Sequence, residues 1–190
     1  MSNRDALDRY YTPGKVAVQL VAAIPPLGER VPPLTILEPS CGAGAFLQAI
    51  GQRWPTARLT GIDADIAAPA QFDDGLPAFT FHKRDFLRWE QPTDLTIGNP
   101  PFNAAEEHVR HALKLSSVGV GFLLRLAFLE STKREAFWKE HRPARVFVLS
   151  RRPSFTGGGT DSAAYGFFWW DRRQRVTRTE MDWIWSEVVS

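Results

Sequence analysis

The sequence predicts an α/β protein with a Rossmann-like fold: a mostly parallel, seven-stranded sheet with a C-terminal antiparallel hairpin and helices on both faces. Short apolar runs alternate with helical stretches through the first two thirds of the chain, which is typical of βαβ units. Two later apolar runs are joined by a glycine-rich loop, which is typical of a hairpin. With 190 residues, 44% hydrophobic and 23% charged, the chain is expected to form one domain over residues 1–190.

Five of the predicted strands come before residue 125. They are Leu34–Leu37, Ala57–Ile62, Phe79–Phe81, Leu95–Ile97 and Val118–Leu124. Apolar residues at the helical period predict helices elsewhere, and Glu106 and Glu107 fall in a first turn, where the helix dipole favours negative charge. The predicted helices are Lys15–Ile24, Gly44–Arg53, Ala104–Leu115 and Thr132–Glu140.

The last two predicted strands are Arg145–Ser150 and Tyr165–Trp170, joined by a loop with three consecutive glycines. Tyr165, Trp169 and Trp170 are assigned to the strand core. In the tail after residue 180, Trp183 and Trp185 are also expected to serve in packing.

Basic residues are concentrated near the C-terminus. Between His141 and Arg178 there are eight arginines and two aspartates, although the whole chain carries a formal charge of only +2. Such a segment is typical of a surface that binds phosphates. It is equally compatible with arginines that keep the edge of a sheet soluble.

The sequence shows neither a run of eighteen apolar residues nor a basic leader followed by an apolar stretch. We therefore expect a cytoplasmic protein with no membrane partner. The single cysteine, Cys41, fits a reducing compartment. None of the four histidines has metal-ligating neighbours in the sequence, so no metal is expected.

A glycine-containing turn follows the first predicted strand. Gly42 and Gly44 let the backbone approach a ligand closely, and Asp63 follows the next strand at the spacing of an acid that binds ribose hydroxyls. Position 47 is leucine instead of the third glycine of the dinucleotide fingerprint, and Glu38 disfavours an anionic ligand but not a sulfonium with an amino group. With Asp85 in HKRDF, these residues predict a nucleoside site.

The sequence Gly98-Asn99-Pro100-Pro101-Phe102 follows the fourth predicted strand. The side-chain oxygen of Asn99 and the carbonyl of Pro100 can accept the two hydrogens of an aromatic amine, which localises its lone pair and stabilises developing positive charge. The prolines fix the backbone, and Phe102 can stack on a base. A proline-rich turn that merely ends a strand is the structural alternative.

The segment Glu38–Gly44 resembles motif I of the S-adenosylmethionine-dependent amino-methyltransferases of DNA, and residues 10–13 (YYTP) resemble their motif X. The motif order resembles the γ arrangement. The resemblance implies a methyltransferase version of the Rossmann-like fold and S-adenosylmethionine as cofactor, with Asp63 on the ribose and Asp85 and Phe86 on the cofactor's adenine. The implied cofactor contacts are Tyr11, Thr12, Pro13, Glu38, Ser40, Cys41, Gly42, Gly44, Asp63, Ala64, Asp85, Phe86 and Asn99.

The NPP motif followed by an aromatic residue is similar to that of adenine-directed enzymes. It implies methylation of the N6 amino group of a flipped-out adenine in DNA, with Asn99, Pro100, Pro101 and Phe102 as the catalytic residues. Cys41 lies in the cofactor loop, which excludes methylation of a cytosine carbon by a cysteine next to proline. The implied location is the cytoplasm of a bacterium or of a phage-infected cell.

Residues 151–159 (RRPSFTGGG) resemble motif VIII of this family, and of small phage-type adenine methyltransferases in particular. This implies that Phe155 is a second stacking residue, that Arg151 and Arg152 bind phosphates, and that Gly157 and Gly158 let the loop order on DNA. Because the catalytic fold uses almost all of the chain, no separate target-recognition domain is expected, and sequence specificity is expected to be short or relaxed. The oligomeric state is left open, and a monomer fits the sequence.

Three alternatives remain at this point. An NPP motif with an aromatic residue also serves enzymes that methylate adenine in RNA or a glutamine amide in release factors, because both amines pose a similar chemical problem. A catalytically silent homologue that binds nucleic acid is the third. In that protein Asn99→Ala would leave function intact.

Overall fold

The computed structural model describes residues 11–28, 33–65, 78–151, 153 and 163–185. Within these ranges the helices are α1 (Gly14–Ala22), α2 (Ala45–Arg53), α3 (Ala105–Leu115) and α4 (Glu135–Glu140). The strands are β1 (Thr35–Glu38), β2 (Arg58–Asp63), β3 (Phe79–Lys83), β4 (Thr93–Gly98), β5 (Ser116–Arg125), β6 (Arg145–Leu149), β7 (Tyr165–Asp171) and β8 (Glu180–Ile184). None of the described helices combines the length and apolarity needed to cross a membrane.

The strands form one sheet in the order β3-β2-β1-β4-β5-β7-β6-β8. The first five strands pair in parallel, and β7 is antiparallel to both of its neighbours, β5 and β6. This arrangement confirms the predicted α/β class, the parallel sheet and the antiparallel C-terminal pair. The seven predicted strands and four predicted helices are all present, and no bound is shifted by more than three residues.

The predicted number of strands was wrong, because the sheet has an eighth strand, β8, which pairs in parallel with β6 at the outer edge. Its sequence, EMDWI, has no strongly buried face, since four of its five residues are exposed. A strand with one neighbour and little core contact lacks the apolar pattern that identified the others. The packing role expected for Trp183 and Trp185 was also wrong, because these side chains are 46% and 69% exposed.

Two hydrophobic layers cover opposite faces of the sheet, as predicted. On one face α1 and α2 pack against side chains such as Ile36, Leu95 and Phe167. On the other face α3 and α4 pack against side chains such as Val120 and Phe168. The carboxyl ends of β1 to β5 meet at one edge of the sheet, which is where ligands bind in open α/β folds.

The junction between the parallel and antiparallel parts of the sheet depends on two glycines in β5. A Cβ atom at Gly119 would lie 2.3 Å from the ring of Trp169, and one at Gly121 would lie 2.6 Å from the ring of Phe167. Both rings are fully buried. The aromatic side chains of β7 therefore lie directly on the backbone of β5.

Gly119→Ala should lower the free energy of unfolding by about 1–3 kcal/mol, because the added methyl group cannot fit beneath the Trp169 ring without displacing it. Urea denaturation measures this change. Gly14→Ala is the matched control, since a Cβ atom there meets nothing within 4 Å. Equal unfolding midpoints for the two variants would contradict this packing.

Candidate functional site

A cleft of about 220 Å³ opens at the carboxyl edge of the sheet. It brings together eleven of the predicted residues: Tyr11, Ser40, Gly42, Asp63, Ala64, Asp85, Phe86, Asn99, Pro100, Pro101 and Phe102. The other predicted cofactor residues, Thr12, Pro13, Glu38, Cys41 and Gly44, are not among its lining residues. Glu38 ends β1, the other four lie in the loops beside the cleft, and Thr12 accepts a hydrogen bond from the lining residue Asn99.

The glycine turn between β1 and α2 has left-handed backbone at Gly42 (φ 48°) and Gly44 (φ 84°). A Cβ atom at Gly42 would lie 2.9 Å from the ring of Tyr11. Gly44 is also the N-cap residue that directly precedes α2. Glycine is therefore required here both for backbone conformation and for close approach, as the sequence predicted.

Glu38 lies beneath this turn at the end of β1 and is only 2% exposed. Its Oε2 accepts a hydrogen bond of 2.9 Å from the backbone N–H of Leu47, in the first turn of α2. Burial raises the pKa of Glu38 well above its ordinary value, the hydrogen bond from Leu47 opposes this rise, and the nearby charge of Asp63 adds to it. Glu38 thus fixes the position of α2 under the loop.

Cys41 is buried in the turn. Burial, together with the negative charges of Glu38 and Asp63, raises the pKa of its thiol. A thiol that stays protonated is a poor nucleophile. This environment agrees with the exclusion of carbon methylation through a cysteine.

Two carboxylates lie at this edge of the sheet: Asp63 at the end of β2, and Asp85 just beyond the end of β3. Asp63 Oδ2 accepts from the Gly42 N–H at 3.0 Å, so the acid and the glycine turn hold each other. Asp85 Oδ1 accepts from the Leu87 N–H at 2.9 Å and begins a 3₁₀ turn. Phe86 in that turn is 2% exposed. The cleft therefore has an acid at one strand end and an acid with an aromatic ring at the next.

The Gly-Asn-Pro-Pro turn lies against the end of β1. A Cβ atom at Gly98 would lie 3.3 Å from Glu38 Cγ and from Pro39 Cδ, a tight contact that would require these atoms to shift by a few tenths of an ångström. Asn99 Nδ2 donates to Thr12 Oγ1 at 3.1 Å, which orients the carboxamide and leaves its oxygen as the acceptor end. Ala104 N–H donates to the carbonyl of Pro101, which closes the following turn.

Phe102 has two partners that the sequence did not reveal. The guanidinium carbon of Arg125 lies 4.7 Å from the centre of its ring, and Tyr165 lies 5.4 Å away, tilted by 46°. Arg125 is the last residue of β5 and pairs with Tyr165 in β7. The sequence feature that could have identified Arg125 is its position as the one charged residue of β5, at the carboxyl end of that strand.

His108 and Arg84 also line the cleft and were not predicted. His108 is 7% exposed, and its Nδ1 lies 2.9 Å from the carbonyl oxygen of Ala104, to which it donates. Burial lowers the pKa of His108 and favours the neutral ring. Among the described residues no cluster of three metal-ligating side chains is present. Arg84 directly precedes the predicted Asp85, which was the available signal.

The arginine-rich segment does not surround the cleft. Of the described arginines of this segment only Arg151 lies at the carboxyl edge, just after β6, and it is exposed. Because β7 is antiparallel to β5, the turn after β7 lies at the opposite edge of the sheet. The arginines at that opposite edge are Arg142, Arg145, Arg172, Arg173, Arg175 and Arg178.

The other predicted nucleic-acid contacts, Arg152, Phe155, Gly157 and Gly158, lie outside the described residues. The same holds for Tyr10 of the YYTP sequence. These assignments stay predictions.

No family model matches the chain. Over 139 residues it is 34% identical to a trans-aconitate 2-methyltransferase of Escherichia coli, a match that covers 68% of this chain and 54% of that protein. The chain therefore spans about half the length of the curated relatives it matches.

Three solved structures share the fold. A proposed class I S-adenosylmethionine-dependent methyltransferase from Listeria monocytogenes has a TM-score of 0.67 at 14% identity and covers 95% of this chain and 67% of that one. A proposed RNA methyltransferase from Pyrococcus horikoshii has a TM-score of 0.67 at 15% identity, covering 87% and 88%. The methyltransferase subunit of a type I restriction-modification system from Streptococcus thermophilus has a TM-score of 0.65 at 15% identity, covering 90% and 46%.

These likenesses confirm the Rossmann-like fold of the class I methyltransferases. The curated relatives that match about two thirds of this chain are methyltransferases. The named proteins differ in substrate, so the choice of substrate for this chain depends on the chemistry of its own cleft.

Glu38→Gln should make stability less dependent on pH. Burial raises the folded-state pKa of Glu38, so the carboxyl stabilises the fold fully below its unfolded pKa of about 4.3, and this contribution is lost as pH rises through the folded pKa. The stability of the variant relative to wild type should therefore increase with pH, by at most about 1.4 kcal/mol per pH unit. Urea denaturation at a series of pH values measures it.

The control for this series is Glu107→Gln, which replaces an exposed carboxyl in the first turn of α3. Its stability should run parallel to that of wild type. A Glu38→Gln curve that also runs parallel to wild type would show that the buried carboxyl is not the cause.

Proposed function

We propose that this protein is an S-adenosylmethionine-dependent methyltransferase that modifies the N6 amino group of an adenine in DNA. The observation that carries the proposal is the Asn-Pro-Pro-Phe turn in the wall of the cleft, where the bond from Asn99 Nδ2 to Thr12 Oγ1 fixes the carboxamide with its oxygen as the accepting atom. Such an acceptor suits a substrate that has hydrogens to donate.

The described residues fit the cofactor. The left-handed glycine turn brings backbone close to a ligand at the end of β1, Asp63 can accept from ribose hydroxyls, and Asp85 with Phe86 can take an adenine. Bound there, S-adenosylmethionine would supply a methyl group on a positively charged sulfur that leaves as a neutral thioether. The buried carboxyl of Glu38 lies beneath the same turn and holds it against α2.

The residues of the Asn-Pro-Pro turn would activate the amine. An exocyclic amine of adenine is a weak nucleophile because its lone pair is delocalised into the ring. The oxygen of Asn99 and the carbonyl of Pro100 would accept its two hydrogens, draw the nitrogen toward tetrahedral geometry and stabilise the positive charge that forms on it. Once the new carbon–nitrogen bond has formed, one of these hydrogens leaves as a proton to solvent.

A planar base also suits Phe102. Arg125 and Tyr165 pack against this ring and restrict its movement, so a base extruded from a duplex could stack on the remaining surface of the ring. We retain Phe155 as the second stacking residue and Arg151 with Arg152 as phosphate contacts. Support for nucleic acid thus comes from the NPP-aromatic turn, because most of the arginine-rich segment lies at the other edge of the sheet.

A second candidate is methyl transfer to a small organic acid. It is favoured by the 34% identity to trans-aconitate 2-methyltransferase and by Arg84, a cation in the cleft wall. A carboxylate, however, has no hydrogen to donate to the oxygen of Asn99. The carbonyl oxygen of Pro100 would also repel a carboxylate. The orientation of Asn99 therefore favours an amine.

One experiment separates the candidates. The protein is incubated with methyl-labelled cofactor and, separately, with DNA, RNA, a release-factor substrate and trans-aconitate, and the modified product is identified by mass spectrometry. The proposal requires N6-methyladenine in DNA. Label found only in RNA, in glutamine or in the organic acid would replace the proposed substrate with that one.

Asn99→Ala should lower kcat on DNA by about 10²–10³, because one preorganised acceptor is lost. Binding of S-adenosylhomocysteine, measured by calorimetry, should be largely kept, since Asp63, Asp85 and Phe86 remain. Asn103→Ala is the matched control, because Asn103 is exposed in the same turn. Thr12→Val should give a smaller loss than Asn99→Ala, since it frees the carboxamide to rotate.

The proposed enzyme should have short or relaxed sequence specificity. The described loops at the carboxyl edge, such as residues 39–44 and 99–104, are short and offer few side chains for base edges in the major groove. Methylation of random-sequence duplexes, followed by mapping of the modified adenines, measures this. A single long recognition sequence would contradict the prediction.

A further inference from the structure

The outer strand of the sheet carries an apolar stripe that the proposed catalytic role does not use. Met181, Trp183 and Trp185 alternate along β8 and just beyond it, and they are 57%, 46% and 69% exposed. The two tryptophan rings are nearly parallel, at an angle of 18°, with centres 6.3 Å apart. That separation is comparable to twice the ~3.4 Å rise of stacked bases. A gap of this size is the space that one base inserted between the two rings would occupy.

Exposed arginines stand at both ends of this stripe. The turn that leads into β8 carries Arg172, Arg175 and Arg178, and Arg151 follows the paired strand β6 at the other end. The acid at the start of β8, Glu180, is already paired with Arg145, at 2.9 Å. The stripe thus combines aromatic surface with a net positive border.

The stripe and the cleft share one edge of the sheet. β8 is parallel to β6, and β6 runs in the same direction as β5, so Trp185 lies at the carboxyl edge, where the cleft opens. Ser150 N–H donates to the carbonyl of Ile184, which holds the end of β8 against the end of β6. Four strand spacings, or roughly 19 Å, separate β8 from β4. That distance suits nucleotides flanking a base held in the cleft.

We propose that this outer edge is a second nucleic-acid contact, which binds an unpaired stretch of the substrate by stacking bases on Trp183 and Trp185 while the arginines neutralise phosphates. Basic grooves with exposed aromatic side chains bind single strands without sequence preference. The proposal rests on the proposed function only in taking nucleic acid as the substrate class. It assigns a role to the arginines that the cleft leaves unused.

Charge argues against a second copy of this chain as the occupant. If two β8 strands paired antiparallel about a two-fold axis, the arginine-bearing start of one strand would meet the end of the other, next to Arg151. Cations would then face cations at both ends of the interface, which disfavours the pairing. A polyanion meets the same residues without this conflict.

The test uses the full chain and a fluorescent oligothymidylate of about 20 nucleotides, which has no adenine for the cleft to methylate. In anisotropy titrations Trp183→Ala with Trp185→Ala should weaken binding about tenfold or more, and the corresponding double Phe variant should keep most of the affinity. Val18→Ala, which trims an exposed apolar side chain on α1, should bind like wild type.

Salt dependence tests the arginines separately. Arg175→Gln with Arg178→Gln should lower the slope of log affinity against log salt by about 1.4, since each lost phosphate contact contributes about 0.7 on a single strand. Lys114→Gln, at an exposed position in α3, should leave the slope unchanged. Circular dichroism of each variant establishes that it is folded.

Unchanged affinity of the folded double Ala variant for oligothymidylate would overturn the proposal. So would light scattering that shows a wild-type dimer, broken by the same substitutions with no loss of oligothymidylate binding, since the stripe would then join two copies. Failure to methylate adenine, with tryptophan-dependent binding retained, would overturn the proposed function and leave the second contact standing.

Discussion

The buried carboxyl of Glu38 is the contact on which the rest of the cleft depends. It accepts from the first turn of α2, so it fixes the glycine turn above it, and its side chain touches the space that a side chain at Gly98 would fill. One group thus joins the loop after β1 to the Asn-Pro-Pro turn after β4. Burying a carboxyl is costly unless it is hydrogen-bonded. Here the buried, hydrogen-bonded carboxyl maintains the relative position of two loops that lie far apart in sequence.

Much of the fold could be predicted because its strands are buried and alternate with helices. The apolar runs of β1 to β5 and the glycine turn gave the parallel sheet and the edge where the cleft opens. The prediction failed at β8, because an edge strand with exposed side chains has no periodic pattern to detect. It failed for Trp183 and Trp185 for the same reason, since large apolar residues are assigned to packing unless the structure shows them exposed.

The candidate site could be predicted where a polar residue comes at or directly after the end of a predicted strand. Asp63, Asp85 and Asn99 could be placed this way, because parallel strands bring their carboxyl ends to one edge. The partners of these residues could not be placed. The bond from Asn99 to Thr12 spans 87 positions, and Phe102 contacts Arg125 and Tyr165 from two later strands of the chain. The concentration of arginines near the C-terminus was also a poor guide to the cleft, because the antiparallel strand β7 places most of them at the opposite edge of the sheet.

The two glycines beneath Trp169 and Phe167 also determine how β7 aligns with β5. In the native pairing Phe167 is opposite Leu123 and Trp169 is opposite Gly121, and their rings lean over Gly121 and Gly119. A slip of two residues would move one ring onto the side chain of Leu123 or of Ser117, so only the native alignment places both rings over glycine. That alignment sets Tyr165 opposite Arg125. Gly119 and Gly121, in the middle of the sheet, therefore determine the position of the Arg125–Tyr165 pair that contacts Phe102. A substitution at either glycine would alter the cleft, although neither glycine lines it.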